Sequence, residues 1–188
     1  MINGQYKELT VQKVLRTILI TSGFPSVQLL QFFTPNGYNK IVKEIERLSF
    51  KKEWEPLTHS YTKAPVPRSL QELLDSSSFL SLVSAIIGKK MTKVEGATYL
   101  LSWKDYSLLH DTTVEEPGAD VVFDFTSDWD PSFGGAVTYT ESDGSYVRVP
   151  AAANMLFIAV RKKEQKFIQY VNHYGKDKKR YVVLGKLI

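Results

Sequence analysis

Val121-Val122-Phe123-Asp124-Phe125-Thr126 is a short apolar run bounded by turn residues, and the chain repeats that texture. Runs of the same kind cover residues 97–103, 106–112, 135–140, 145–149, 155–160, 166–174 and 180–187. Short runs at such even spacing predict an antiparallel β-sandwich or barrel. Glu141-Ser142-Asp143-Gly144 supplies a tight hairpin turn, and Gly175-Lys176-Asp177-Lys178 supplies another.

Working back toward the N-terminus, the period changes. Val11, Val14, Leu15, Ile18 and Leu19 fall at helical intervals, and Ser22-Gly23-Phe24-Pro25 ends that helix. Thr34-Pro35 provides an N-cap and a first-turn proline for a second helix whose apolar face is Tyr38, Ile41, Val42, Ile45 and Leu48. Residues 49–68, with Trp54, Pro56, Pro65 and Pro67, hold no period and read as a loop or short edge strand lying over a site. Ser69 and Glu72 form a capping box, and the helical pattern resumes at Phe79 and stops at Gly88. The expectation is one domain over 1–188, mainly α+β in class: a helical part over 1–90, then a β core over 91–188 against which the helices pack.

Composition narrows the chemistry. A chain of 188 residues with 43% hydrophobic residues buries a core of its own. With no cysteine, disulfides, thiolate metal sites and a cysteine nucleophile are excluded, so any metal must use His, Asp or Glu. Lys7, Glu8, Lys13 and Arg16 interrupt the apolar residues at the N-terminus, which predicts no signal peptide and no membrane span, hence a cytoplasmic protein. The net charge of +4 hides an asymmetry: residues 111–148 carry nine acids against Arg148 alone, whereas residues 161–188 carry nine bases against Glu164 and Asp177. The basic end suits nucleic acid or an acidic partner, and solvated hairpin tips of opposite sign account for the pattern equally well.

The residues able to do chemistry are few. His110 ends the run Tyr106-Ser107-Leu108-Leu109, and His173 follows Gln169-Tyr170-Val171-Asn172. Tyr99 and Trp103 are candidates to line a pocket, although aromatics on sandwich strands more often serve the core. His59 reads as exposed. No nucleophile and base stand at a spacing that suggests hydrolysis.

Taken in order, Tyr106-Ser107-Leu108-Leu109-His110-Asp111-Thr112, Val121-Val122-Phe123-Asp124-Phe125, Asp128-Trp129-Asp130 with Gly134-Gly135, Asn154-Met155-Leu156-Phe157-Ile158, Gln169-Tyr170-Val171 and Arg180 resemble the 2-oxoglutarate and Fe(II) dioxygenases of the prolyl-hydroxylase type. The resemblance spans the last half of the chain. It implies a double-stranded β-helix (a jelly roll, cupin-like) with N-terminal helices packed on one sheet. It also implies Fe(II) and 2-oxoglutarate as cofactors, and hydroxylase-type oxidation of a protein side chain or a small molecule.

That chemistry needs two imidazoles and a carboxylate on one face of the iron, and a base for the distal carboxylate of 2-oxoglutarate. His110 matches the first ligand and Arg180 the base. The residue two beyond His110, which a strand would turn to the same side, is Thr112 rather than an acid, and Gln169 stands at the third-ligand position. Three readings follow. His110 and His173 hold a metal with a water, a halide or a reoriented Asp111 in the carboxylate position; or the triad is lost and His110, Thr112 and Gln169 line a polar pocket without iron, as in a pseudoenzyme; or both histidines are structural. Two substitutions in one triad favour the second reading. The alternative to an enzyme is a non-catalytic binding module of the same fold, with no cofactor, meeting protein or RNA through basic hairpins at 161–166 and 176–180.

Overall fold

The structure, a computed structural model, describes residues 1–109, 116–140, 144–162 and 164–188. Helix α1 (Leu9–Thr21) is followed by strand β1 (Ser26–Leu30), and helix α2 (Pro35–Ile45) by a hairpin of β2 (Lys51–Glu55) and β3 (His59–Ala64). Two short helices, α3 (Arg68–Leu74) and α4 (Ser77–Ile87), complete the helical layer. The remaining strands are β4 (Val94–Leu101), β5 (Tyr106–Ser107), β6 (Gly118–Asp124), β7 (Val137–Thr140), β8 (Tyr146–Arg148), β9 (Met155–Arg161), β10 (Gln165–Ile168) and β11 (Arg180–Leu187).

Local sequence explains the helix ends. The Thr34 hydroxyl accepts from the Gly37 N–H with Pro35 in the first turn, so α2 starts where the sequence places it. Ser76 caps α4 through the Phe79 N–H, and Gly88, at φ 80°, closes it in the left-handed conformation that glycine adopts without strain. The capping box expected at Ser69 is absent. Pro67 holds the N-cap position of α3, and the Ser69 hydroxyl and N–H both donate to the Glu44 carboxylate, which ties α3 to α2 instead.

Among the described residues the strands form two antiparallel sheets. The large one runs β1-β9-β6-β11-β4-β3-β2, with β5 paired to β3, and the small one runs β10-β7-β8. The N-terminal part therefore contributes strands as well as helices. β1 follows directly after the Ser22–Pro25 break, and the aperiodic stretch after α2 holds the β2–β3 hairpin.

Period-two alternation divides the core into two layers. On β6, Ala119, Val121 and Phe123 face the helices, joining Leu156 and Ile158 of β9, Val183 of β11 and the apolar faces of α1 to α4 in one cluster. The other faces meet the small sheet. Val122, Met155, Phe157, Val137 and Tyr139 pack together there, as do Leu101, Val182, Trp129, Ile168 and Val171. This is the double-stranded β-helix expected, with helices on one sheet.

Candidate functional site

The space between the sheets holds most of the buried charge among the described residues. Asp120 and Asp124 alternate with Val122 on the inner face of β6, and both are essentially excluded from solvent. Arg180, at the start of β11, donates from Nε (3.2 Å) and Nη2 (2.7 Å) to Oδ2 of Asp124. Its other bonds reach the carbonyls of Gly135 (3.0 Å) and Pro150 (3.4 Å). Oδ1 of Asp124 accepts from the Thr126 N–H at 2.9 Å. Four of the five guanidinium N–H groups are thus bonded, inside the protein, and the charge is neutralised by an acid of the chain itself.

The Gly134-Gly135 pair serves this arrangement. Both glycines have positive φ, and Trp129 fixes the turn by donating its indole N–H to the Gly134 carbonyl at 2.8 Å. A Cβ on Gly134 would stand 2.0 Å from the Tyr170 carbonyl oxygen. Glycine is required there for both reasons, and the turn delivers the Gly135 carbonyl to Arg180.

At the other end of β6, Asp120 accepts from Arg161 of β9 (Nε 2.7 Å, Nη2 3.2 Å), from the Tyr139 hydroxyl and from Lys166 of β10 (each 3.2 Å). The acidic and basic stretches of the sequence are therefore partly paired with each other in the interior. Arg161, Lys166 and Arg180 are drawn out of the expected basic surface hairpins.

A cavity of about 260 Å³ lies between the large sheet and β10, lined by His59, Tyr61, Tyr99, Ser107 and Lys166 among others. His59 stacks on Tyr61 (centroids 4.6 Å apart), and Tyr61 meets Tyr99 edge to face at 5.2 Å. Burial pushes the Tyr99 phenol up to about 12, with smaller contributions from Tyr61 and Glu53. His59, expected to be exposed, is a wall of this cavity. Trp103 is not. It sits on the turn between β4 and β5, with the Lys104 ammonium 4.3 Å from its ring centre.

Of the metal-ligand candidates, the structure describes Gln169 and His173. His110, Asp111 and Thr112 lie outside the described residues. Gln169 follows the last residue of β10, pairs through its backbone with Ala136 and Gly135, and has its side-chain oxygen buried with no hydrogen-bond partner among the described residues. His173 is not on a strand. It opens a 3-10 turn capped by Asn172, is exposed, and packs its ring on Tyr174 at 4.0 Å. Among the described residues no three His, Asp or Glu side chains gather to hold a metal ion.

The cosubstrate can be tested for fit on Arg180. A dicarboxylate would need this guanidinium, whose bonds end on Asp124 and two carbonyls, and it would bring a second carboxylate beside the buried one of Asp124. Like charges in a low-dielectric interior repel strongly. The residues present do not fit 2-oxoglutarate.

The signal for Asp124 was present in the sequence. An acid two residues from Val122, on a strand apolar on both faces, demands a buried cation, and Arg180 begins the strand beside it.

No protein-family model and no curated protein matches the sequence. Solved structures do match in fold. A prolyl-4-hydroxylase from Pseudomonas putida superposes with a TM-score of 0.70 at 13% identity, over 94% of this chain and 98% of that one. A prolyl hydroxylase from Trichoplax adhaerens, solved with a hypoxia inducible factor peptide, gives 0.71 at 11% identity over 96% and 90%. HygX from Streptomyces hygroscopicus, solved with nickel, 2-oxoglutarate and hygromycin B, gives 0.65 at 11% identity over 93% and 86%. With helices on the large sheet and a small sheet opposite, this chain has the double-stranded β-helix fold of the prolyl-hydroxylase-like 2-oxoglutarate and Fe(II) oxygenases.

Proposed function

We propose that this chain is a non-catalytic binding module built on the dioxygenase fold. The observation that carries the reading is the Asp124–Arg180 pair: the base that the resemblance assigns to the cosubstrate is already bound to a carboxylate of the protein. Gln169 at the third-ligand position supports it, because a neutral amide is a weaker donor to Fe(II) than imidazole. A protein partner is the reading that the peptide complex of the Trichoplax neighbour supports. The exposed lysines and aromatic rings of this chain favour another class of partner.

Calorimetry with Mn(II) and 2-oxoglutarate, paired with an Fe(II) assay for succinate formation, tests the proposal. The expected result is no saturable heat and no succinate. Binding of 2-oxoglutarate that is lost in Arg180→Met would overturn it, since it would require Arg180 to exchange Asp124 for the cosubstrate.

A further inference from the structure

The basic character of the C-terminal third survives at one end of the large sheet. Arg180 pairs with Leu101 in the β4–β11 ladder, so the turn after β4 and the segment before β11 lie side by side. Backbone bonds from Lys104 N–H to the Val171 carbonyl (3.0 Å) and from Val171 N–H to the Asp105 carbonyl (2.9 Å) fasten them together. The resulting lobe carries Lys104, Lys176, Lys178 and Lys179, all exposed and none with an acidic partner among the described residues. Asp177 is the only acid in its C-terminal segment, residues 172–180.

Aromatic rings stand among these lysines. The ring centre of Trp103 lies 4.3 Å from the Lys104 ammonium and 5.5 Å from that of Lys176. Tyr174 is 68% exposed, with the His173 ring packed on it, and Tyr170 is 48% exposed beside Tyr106 at 6.3 Å. Tyr174 presents an exposed phenol, whereas Trp103 is half-buried with the Lys104 and Lys176 ammonium groups over its indole, and these long side chains would swing from the ring to phosphates as a base stacks. A flat, electron-poor base stacking there would gain about 1–3 kcal/mol per ring, while the flanking ammonium groups would take up the phosphates between bases.

We infer that this lobe, Trp103-Lys104 with residues 173–179, binds single-stranded nucleic acid, using Trp103 and Tyr174 as stacking platforms and Lys104, Lys176, Lys178 and Lys179 as phosphate contacts. Rings and cations in alternation favour a single strand over two other polyanions. A duplex hides the faces of its bases, and an acidic polypeptide would use the lysines but leave the rings idle. The inference does not depend on the loss of catalysis, because the lobe lies outside the space between the sheets.

Fluorescence anisotropy on the full chain with a labelled 12-nucleotide oligouridine at low salt tests it, with a duplex of equal length and polyglutamate as competitors. Single-strand binding should be saturable and weaken with salt. Trp103→Ala or Tyr174→Ala should each lower affinity roughly 5- to 150-fold. Lys178→Ala combined with Lys179→Ala should flatten the salt dependence by about 1.4 in log–log slope. Circular dichroism checks folding, and Trp103→Phe, which keeps a ring, should retain most of the affinity. No binding at low salt overturns the inference, as does binding indifferent to both ring substitutions. Polyglutamate competing as well as the oligonucleotide would overturn it in favour of an acidic protein partner.

Discussion

Asp120 and Asp124 stand on the same face of β6, one on each side of Val122, and each holds a guanidinium from a different neighbouring strand: Arg161 of β9 and Arg180 of β11. Removing one member of such a buried pair strands the other charge in the interior, at a cost of about 3–5 kcal/mol. Asp124→Ala should lose that much in urea denaturation, and Asp124→Leu with Arg180→Met should recover most of it. The alanine variant also leaves a carboxylate-sized space against Arg180. Formate should therefore raise its melting temperature in a saturable way and leave the parent chain unmoved. Equal responses from both chains would show that Asp124 does not fill that space.

Tyr99 gives a pH signature. Its folded pKa of about 12 lies above the ordinary value of 10.0, so the folded chain keeps a proton that the unfolded chain has released. Its contribution is fully present below pH 10 and lost as pH rises through 12. Stability measured by urea midpoint should fall between those limits, and Tyr99→Phe should shrink the fall. A Tyr99→Phe profile that matches the parent would remove Tyr99 as its source.

Gly134 and Gly144 both have positive φ, near 82° and 84°, but a Cβ on Gly144 meets nothing within 4 Å. Gly144→Ala should cost about 1 kcal/mol from backbone strain alone. Gly134→Ala must also displace the Tyr170 carbonyl, and should cost at least twice as much by the same measurement. Similar losses would mean that the Gly134 turn relaxes freely.

The side-chain oxygen of Gln169 is a buried acceptor without a partner among the described residues. An unsatisfied buried group of this kind costs about 1–3 kcal/mol. Gln169→Met, of similar length and apolar, should raise the urea midpoint by an amount equivalent to about 1 kcal/mol. A lowered midpoint would argue that the amide makes a bond worth keeping.

Much of the fold was legible because period and punctuation agree with it. Thr34-Pro35 and Gly88 mark helix ends that geometry enforces, and residues 180–187 form a short apolar run that becomes a strand buried on both faces. β1 was hidden behind Pro25, and β2 was obscured because its edge position lets Lys51, Lys52, Glu53 and Glu55 replace an apolar pattern. The capping box at Ser69 failed for a tertiary reason, since Glu44 competes for its hydroxyl. For the site, an order of residues along the chain could nominate Arg180, but its partner depends on strand neighbours. The choice between cosubstrate and Asp124 is a property of packing, and so is the conversion of His59 from a loop residue into a cavity wall.

The two ion pairs on β6 also act on alignment. β6 lies between β9 and β11, and a one-residue slip against either would turn Asp120 and Asp124 into the aromatic layer of Phe32, Phe33 and Phe79 beneath the helices. Hydrophobic pattern alone would discriminate weakly against such a slip on this strand, because both of its faces are apolar and buried. The arginines on either side make the wrong alignments far more costly, so β6 is held like a key between two wards, and the sheet has one way to close.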